Sequence, residues 1–250
     1  EYFGLDKSDS FEEFKGKYLK AADAQNEYLR NNMPKGYKET RNVGEPIKPE
    51  ELAKIIEDAR LKGVQIGMDG KPTGGFDTYC GDVEVLKDAI DQVAKQVNSD
   101  LFIKSKSKNV ILVYDNVLGY GGDNSMVDIG AFAMTKGRTI TLNKFMFDDS
   151  AYLAREYAEA VKGGYFAKGT NHRNNIVAHE IGHIIDKNTP GLRNRVLAVI
   201  EDEAKKQGIT KEEYISKNVS IYGADLNDAG TYHELIAELN SMLTTGNDYG

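Results

Sequence analysis

The sequence predicts an α+β domain, and three observations carry that expectation. Apolar residues recur at helical spacing on both sides of the chain's centre, while the centre holds short β-branched runs such as "VILVY" at 110–114. The order is helices, a small β region, then helices again, unlike the strict alternation of a parallel α/β chain. Of the 250 residues 40% are hydrophobic, enough to bury one sizeable core.

Taken in order, residues 1–40 read as a helical arm. Ser10 is its candidate N-cap with Glu13 three residues on, and Phe11, Phe14, Tyr18 and Leu19 form one stripe before Pro34 and Gly36 end it. The remainder, 41–250, is expected to form the main domain. "KPEELAKIIEDARLKG" makes a second helix, opened by Pro49 and stopped by Gly63. The Gly-rich stretch from Gly63 to Gly75 predicts turns or a hairpin, and "GDVEVLKDAIDQVAKQV" a third helix. A lysine-bearing loop at 104–109 leads into the strand "VILVYD", and "IGAFAMT" and "RTITLNKF" flank Lys136-Gly137 as a hairpin. "LGYGGDN" (118–124) lacks the Lys-Ser/Thr of a phosphate loop and reads as a surface loop. Helices follow at "DDSAYLAREYAEAVKG", at 174–187, at "LRNRVLAVIEDEAKKQG" and at "TYHELIAELNSML".

Composition removes several function classes. A formal net charge of −7 argues against a nucleic-acid-binding surface. Cys80 is the single cysteine, so neither an internal disulfide nor a thiolate metal cluster can form. The apolar runs fall far short of the roughly 20 residues a membrane span needs. The chain begins at Glu1 rather than Met, which is compatible with a removed leader. The sequence leaves oligomeric state and compartment open.

The chemistry is concentrated in "IVAHEIGHIID", residues 176–186. On a helix His179 and His183, four positions apart, share one face with Cβ atoms about 6 Å apart, the separation that two ligands of one zinc ion need. Glu180 is turned about 100° around the axis, so it misses the metal but reaches a water bound there. The flanking Ile176, Val177, Ala178, Ile181, Ile184 and Ile185 predict a buried helix. Three ionisable groups in such a helix are costly unless a cation pairs them. Gly182 weakens the helix relative to Ala, which points to a close neighbour at that position.

Downstream, "YHELIAELN" supplies Glu234 and Glu238, again one turn apart, interleaved with Leu235, Ile236 and Leu239. A metzincin pattern would require Gly and His where Asp186 and Thr189 stand, so a third ligand is expected from this downstream segment. His233 is a rival to Glu234 for that place.

Together these motifs resemble the glutamate-zincins, the group that includes the anthrax lethal factor catalytic domain and the Pro-Pro endopeptidases. The resemblance implies that His179, His183 and Glu234 bind Zn2+ and that Glu238 orients a ligand histidine, most directly His179. It implies a tyrosine ahead of the ligand glutamate that steadies the transition state. "VSIYGADLNDAGTYHELIAE" offers Tyr222, at a longer spacing than the group usually shows, with Tyr232 as the alternative. Over residues 60 to 245 the ordered phrases "FDTYCGDVEVLK", "TITLNKFMFDD", "GYFAKGT" and "IVAHEIGHIID" are similar to the metallopeptidase-like C-terminal regions of phage minor head (head-morphogenesis) proteins, with relatives in mobile elements and toxins.

The resemblance therefore implies a zincin-like fold, with a small mixed sheet whose edge strand lies beside the His-Glu-x-x-His helix. Ala131, Phe132, Ala133, Met134 and Thr135 are the candidate edge strand for pairing with substrate, or an interior strand without that role. The expected activity is zinc-dependent cleavage of a protein or peptide substrate with Glu180 as general base, and a bacterial or phage-associated setting, secretion included. Two other readings stand beside it: a structural or interaction module of a phage head or mobile element whose metal is not catalytic, and a secreted toxin-type protease.

Overall fold

The computed structural model describes residues 43–68, 70–107, 109–117, 131–226 and 230–245. The proposed arm at 1–40 and the loop at 118–124 lie outside the described residues. The architecture is α+β, as expected at that level. Helix α1 (Pro49–Leu61) is followed by β1 (Gln65–Ile66), α2 (Val83–Val97), the short α3 (Asp100–Lys104) and β2 (Ile111–Asp115). Next come β3 (Ala133–Lys136), β4 (Thr139–Asn143), the one-turn α4 (Lys144–Phe147) and α5 (Ser150–Lys162). Helices α6 (His172–Asn188), α7 (Leu192–Gln207), α8 (Lys211–Asn218) and α9 (Leu235–Leu243) complete the described chain, with a 3-10 turn at Tyr222–Ala224.

The sheet is small and mixed, in the order β1-β2-β4-β3. Strands β1, β2 and β4 run parallel, and β3 returns antiparallel to β4 through the turn at Gly137, whose φ of 66° suits a residue without Cβ. Residues Ile111 to Tyr114 of β2 are all buried, which explains why this strand reads as an unbroken apolar run rather than an alternation. Strand β3, at the open edge, alternates between half-buried and exposed positions.

Three expectations shift. The Gly63–Gly75 stretch is not turns alone: Gln65 and Ile66 pair with Ile111 and Leu112 as a parallel edge strand. A two-residue strand is too short to show any periodicity. The "RTITLNKF" strand stops at Asn143, whose side chain accepts from the Phe145 amide and caps α4. The edge strand begins at Ala133, so Ala131 and Phe132 precede it, although the Phe132 carbonyl still accepts from the Asn143 amide at 3.0 Å.

Helix α6 is the centre of the molecule. Asn171 caps it by accepting from the amides of Arg173 and Asn174, and it packs against α2, α5, α9, β3 and β4. Ile176, Val177, Ile181, Ile184 and Ile185 belong to the main core with Leu86, Ile90, Leu112 and Ile140. A satellite core of Ile200, Ile215, Tyr232 and Leu235 joins α7, α8 and the start of α9.

Candidate metal centre

The contact between α6 and α9 is unusually close, and Gly182 is the reason. A Cβ at that position would lie 2.5 Å from the Ala237 Cα and 3.1 Å from the Ile236 carbonyl oxygen. Side-chain amides then stitch the two helices together. Asn240 donates from Nδ2 to the Ala178 carbonyl at 2.7 Å, and Asn175 donates from Nδ2 to the Ser241 carbonyl at 2.6 Å. This clamp fixes where the acids that lead into and line α9 stand relative to the histidines of α6.

Those acids meet the histidines at one point. Glu234 Oε2 lies 3.1 Å from His179 Nε2 and 3.1 Å from His183 Nε2. One donor atom from each of His179, His183 and Glu234 falls within 4.8 Å of the others. Glu234 is the N-cap of α9 rather than a residue inside it, yet its backbone is helical and its carbonyl accepts from the Glu238 amide at 2.9 Å. The pair Glu234 and Glu238 is thus one turn apart despite the later helix start. Glu238 is nearly fully buried: Oε1 accepts from His179 Nδ1 at 2.8 Å, and Oε2 accepts from the Ala167 amide at 3.1 Å.

Two sequence alternatives separate here. The His233 ring does not join the converging donors but stacks on His183, with centroids 5.0 Å apart. Tyr232 turns away and donates its hydroxyl to Glu212 in the satellite core. Tyr222 instead lies parallel to the His179 ring at 5.8 Å, close enough to Glu234 to feel its charge. Burial, the Glu234 charge and the stacked Tyr165 all raise the Tyr222 pKa, so the phenol keeps its proton.

Glu180 faces the sheet edge. Thr135 donates from Oγ1 to Glu180 Oε2 at 2.6 Å and lies 3.1 Å from the Glu180 carbonyl oxygen. The bonded Phe132/Asn143 pair sets the alternation of the β3–β4 ladder. The main-chain N–H and C=O of Met134 and Lys136 therefore point to β4, and those of Ala133 and Thr135 turn to the open edge. A cavity of about 180 Å³, walled by Phe132, Tyr157, Phe166 and Ile176, opens onto His179, Glu180 and Tyr222. A wider groove of about 740 Å³ continues past Tyr165 and Tyr222 along α8.

Protein-family models, curated proteins and solved structures give no match to this chain. The donor geometry therefore decides what the site can hold. Two imidazole lone pairs facing one carboxylate oxygen at 3.1 Å would repel it, so this arrangement needs either protons on the rings or a cation between the three groups. Burial would by itself lower the His179 pKa, but Glu234 and Glu238 override it and push it up to about 10. Burial would raise that of Glu234, but both imidazoles hold it well below the usual carboxylate range. A divalent cation would replace those protons with one doubly charged centre at the point of convergence. Two imidazoles and one carboxylate, with a carboxylate behind the first imidazole, form a donor set suited to such an ion.

Sequence reasoning did not single out Thr135 as a partner of Glu180, Ala167 as a partner of Glu238, or the clamp formed by Asn175 and Asn240. The Thr135–Glu180 bond spans 45 residues and the Ala167–Glu238 bond 71. Neither leaves a local spacing signal. The phrase "GYFAKGT" held a hint, since Tyr165 and Phe166 line the cavity and Ala167 supports the buried acid.

Proposed function

We propose that this chain is a zinc-dependent endopeptidase with a zincin-like active site. The observation that carries the reading is the convergence of His179, His183 and Glu234 on one point beside the carboxylate of the intervening Glu180, which Thr135 holds through one oxygen. His179, His183 and Glu234 would hold zinc, which when bound supplies a Lewis acid that makes water nucleophilic near neutral pH and polarises a peptide carbonyl. Glu238 holds His179 by its Nδ1, leaving Nε2 to face the ion.

Glu180 takes the proton of the attacking water and returns it to the amine that leaves when the peptide C–N bond breaks. Tyr222, kept protonated, donates a hydrogen bond to the oxyanion that develops on the carbonyl oxygen. The outward main-chain groups of Ala133 and Thr135 pair with an extended substrate backbone. The cavity beside His179 receives a side chain next to the scissile bond, and the groove past Tyr165 carries the chain away.

The test is metal analysis of the wild-type chain, Glu180→Ala and Glu234→Ala, followed by peptide-library cleavage. Zinc near one per chain, retained in Glu180→Ala and weakened in Glu234→Ala, with cleavage lost in both variants, supports the reading. A chain that takes up no zinc overturns it. Zinc uptake with no peptide cleaved by the wild type favours a structural metal in an interaction module.

A further inference from the structure

Glu180 has two carboxylate oxygens, and proton transfer needs one of them turned to the water. Thr135, half-buried on β3, occupies Oε2 through a 2.6 Å hydrogen bond. A hydroxyl carries one proton, and the short bond to the charged oxygen is the one it favours over the 3.1 Å approach to the Glu180 carbonyl. The contact joins the edge strand to the middle of α6. Both partners are anchored, Thr135 by its register opposite Ile140 and Glu180 by its place within the buried part of α6.

We infer that Thr135 is a positioning residue for the Glu180 carboxylate. This rests on the reading of Glu180 as general base, and adds what holds that base in line. The Thr135 side chain fixes Oε2, which leaves the other oxygen for the water. The main chain of the same residue faces the open edge where an extended substrate would pair. One residue therefore sets both the base and the register of the bound peptide, so a substrate strand that pairs at Thr135 arrives with its carbonyl at a fixed height relative to Glu180.

The experiment compares Thr135→Val, which removes the hydroxyl at nearly constant shape, with Thr135→Ser, which keeps it. Zinc-loaded proteins are assayed on the best-cleaved peptide of a library, and the zinc-loaded Thr135→Val variant is crystallised beside the wild type. The expected result is a kcat about 10- to 100-fold lower for Thr135→Val, with KM and zinc affinity unchanged and with Thr135→Ser restored to near the wild-type rate. In the crystals the Glu180 carboxylate should leave its position in Thr135→Val alone. Wild-type kcat in Thr135→Val, a Thr135→Ser variant as slow as Thr135→Val, or a Glu180 side chain unmoved between the two crystals would overturn the assignment. If the wild type cleaves no peptide, the protease reading fails, and the Glu180 position in the crystals still decides the role of Thr135.

Discussion

Glu238 Oε1 lies 2.8 Å from His179 Nδ1, and the same carboxylate accepts from the Ala167 amide through its other oxygen. The ring is thereby held at one nitrogen while the other faces Glu234 and His183. A neutral amide at position 238 keeps the shape but gives up the charge that supports the ring. Glu238→Gln should weaken zinc affinity about 10- to 100-fold, as read by competition with a chelating dye. Affinity equal to wild type would mean that Glu238 is a packing residue.

Zinc uptake should expel a proton. In the metal-free chain His179 holds its proton up to about pH 10, whereas a ligand imidazole must be neutral at the coordinating nitrogen. Titration calorimetry at pH 7.5 in buffers of different ionisation enthalpy should show net proton release, and affinity should climb with pH. A heat that does not depend on buffer would count against a charged His179.

The same groups set how the metal-free fold responds to pH. The His179 pKa is raised from 6.5 to about 10, so its contribution to stability is fully present below pH 6.5 and is lost as pH rises through 10. The Glu234 pKa is lowered from 4.5, so its contribution is present above pH 4.5 and disappears as pH falls through the folded value. Metal-free protein should therefore gain most from this pair between pH 4.5 and 6.5 and lose stability towards pH 10. Urea midpoints of chelator-treated protein across that range provide the check, and Glu234→Gln should flatten the alkaline slope.

Gly182→Ala should be costly out of proportion to its size. The new methyl would meet the Ala237 backbone 2.5 Å away, where no side chain can swing aside. A loss of about 3 kcal/mol, at the upper end of overpacking costs, is expected in urea unfolding. Because the displaced segment follows Glu234, zinc affinity should fall as well. An Ala variant as stable as wild type would show that α9 can move away from α6 at little cost.

Tyr222→Phe separates catalysis from metal binding. It keeps the stack on His179 and removes only the hydroxyl near Glu234. Zinc content should be unchanged while kcat falls about 100-fold, and Tyr232→Phe should leave kcat near wild type. Equal losses in both variants would argue for a shared structural role.

Much of the candidate site was legible in the sequence because its strongest element is local. A helix places residues four apart on one face, so His179 and His183 are neighbours in any fold that keeps 176–186 helical. The i, i+4 pair Glu234 and Glu238 is readable for the same reason, and it survives although the helix, expected from Thr231, starts at Leu235. The close neighbour implied by Gly182 is the α9 backbone. Strand β1 escaped notice because a two-residue segment carries no periodicity, and its pairing with β2 depends on a partner far along the chain.

The sequence by itself determined the α+β class, the histidine pair with its intervening glutamate, and the acidic pair one turn apart. Each is a consequence of backbone periodicity acting over a few residues. Only the tertiary structure decided that Glu234 rather than His233 meets the histidines, that Tyr222 rather than Tyr232 flanks them, and that Thr135 reaches Glu180. Those choices turn on how α6, α9 and the sheet edge pack. Residues 45 or more apart in sequence become neighbours there through burial and close-packing, which no local spacing encodes.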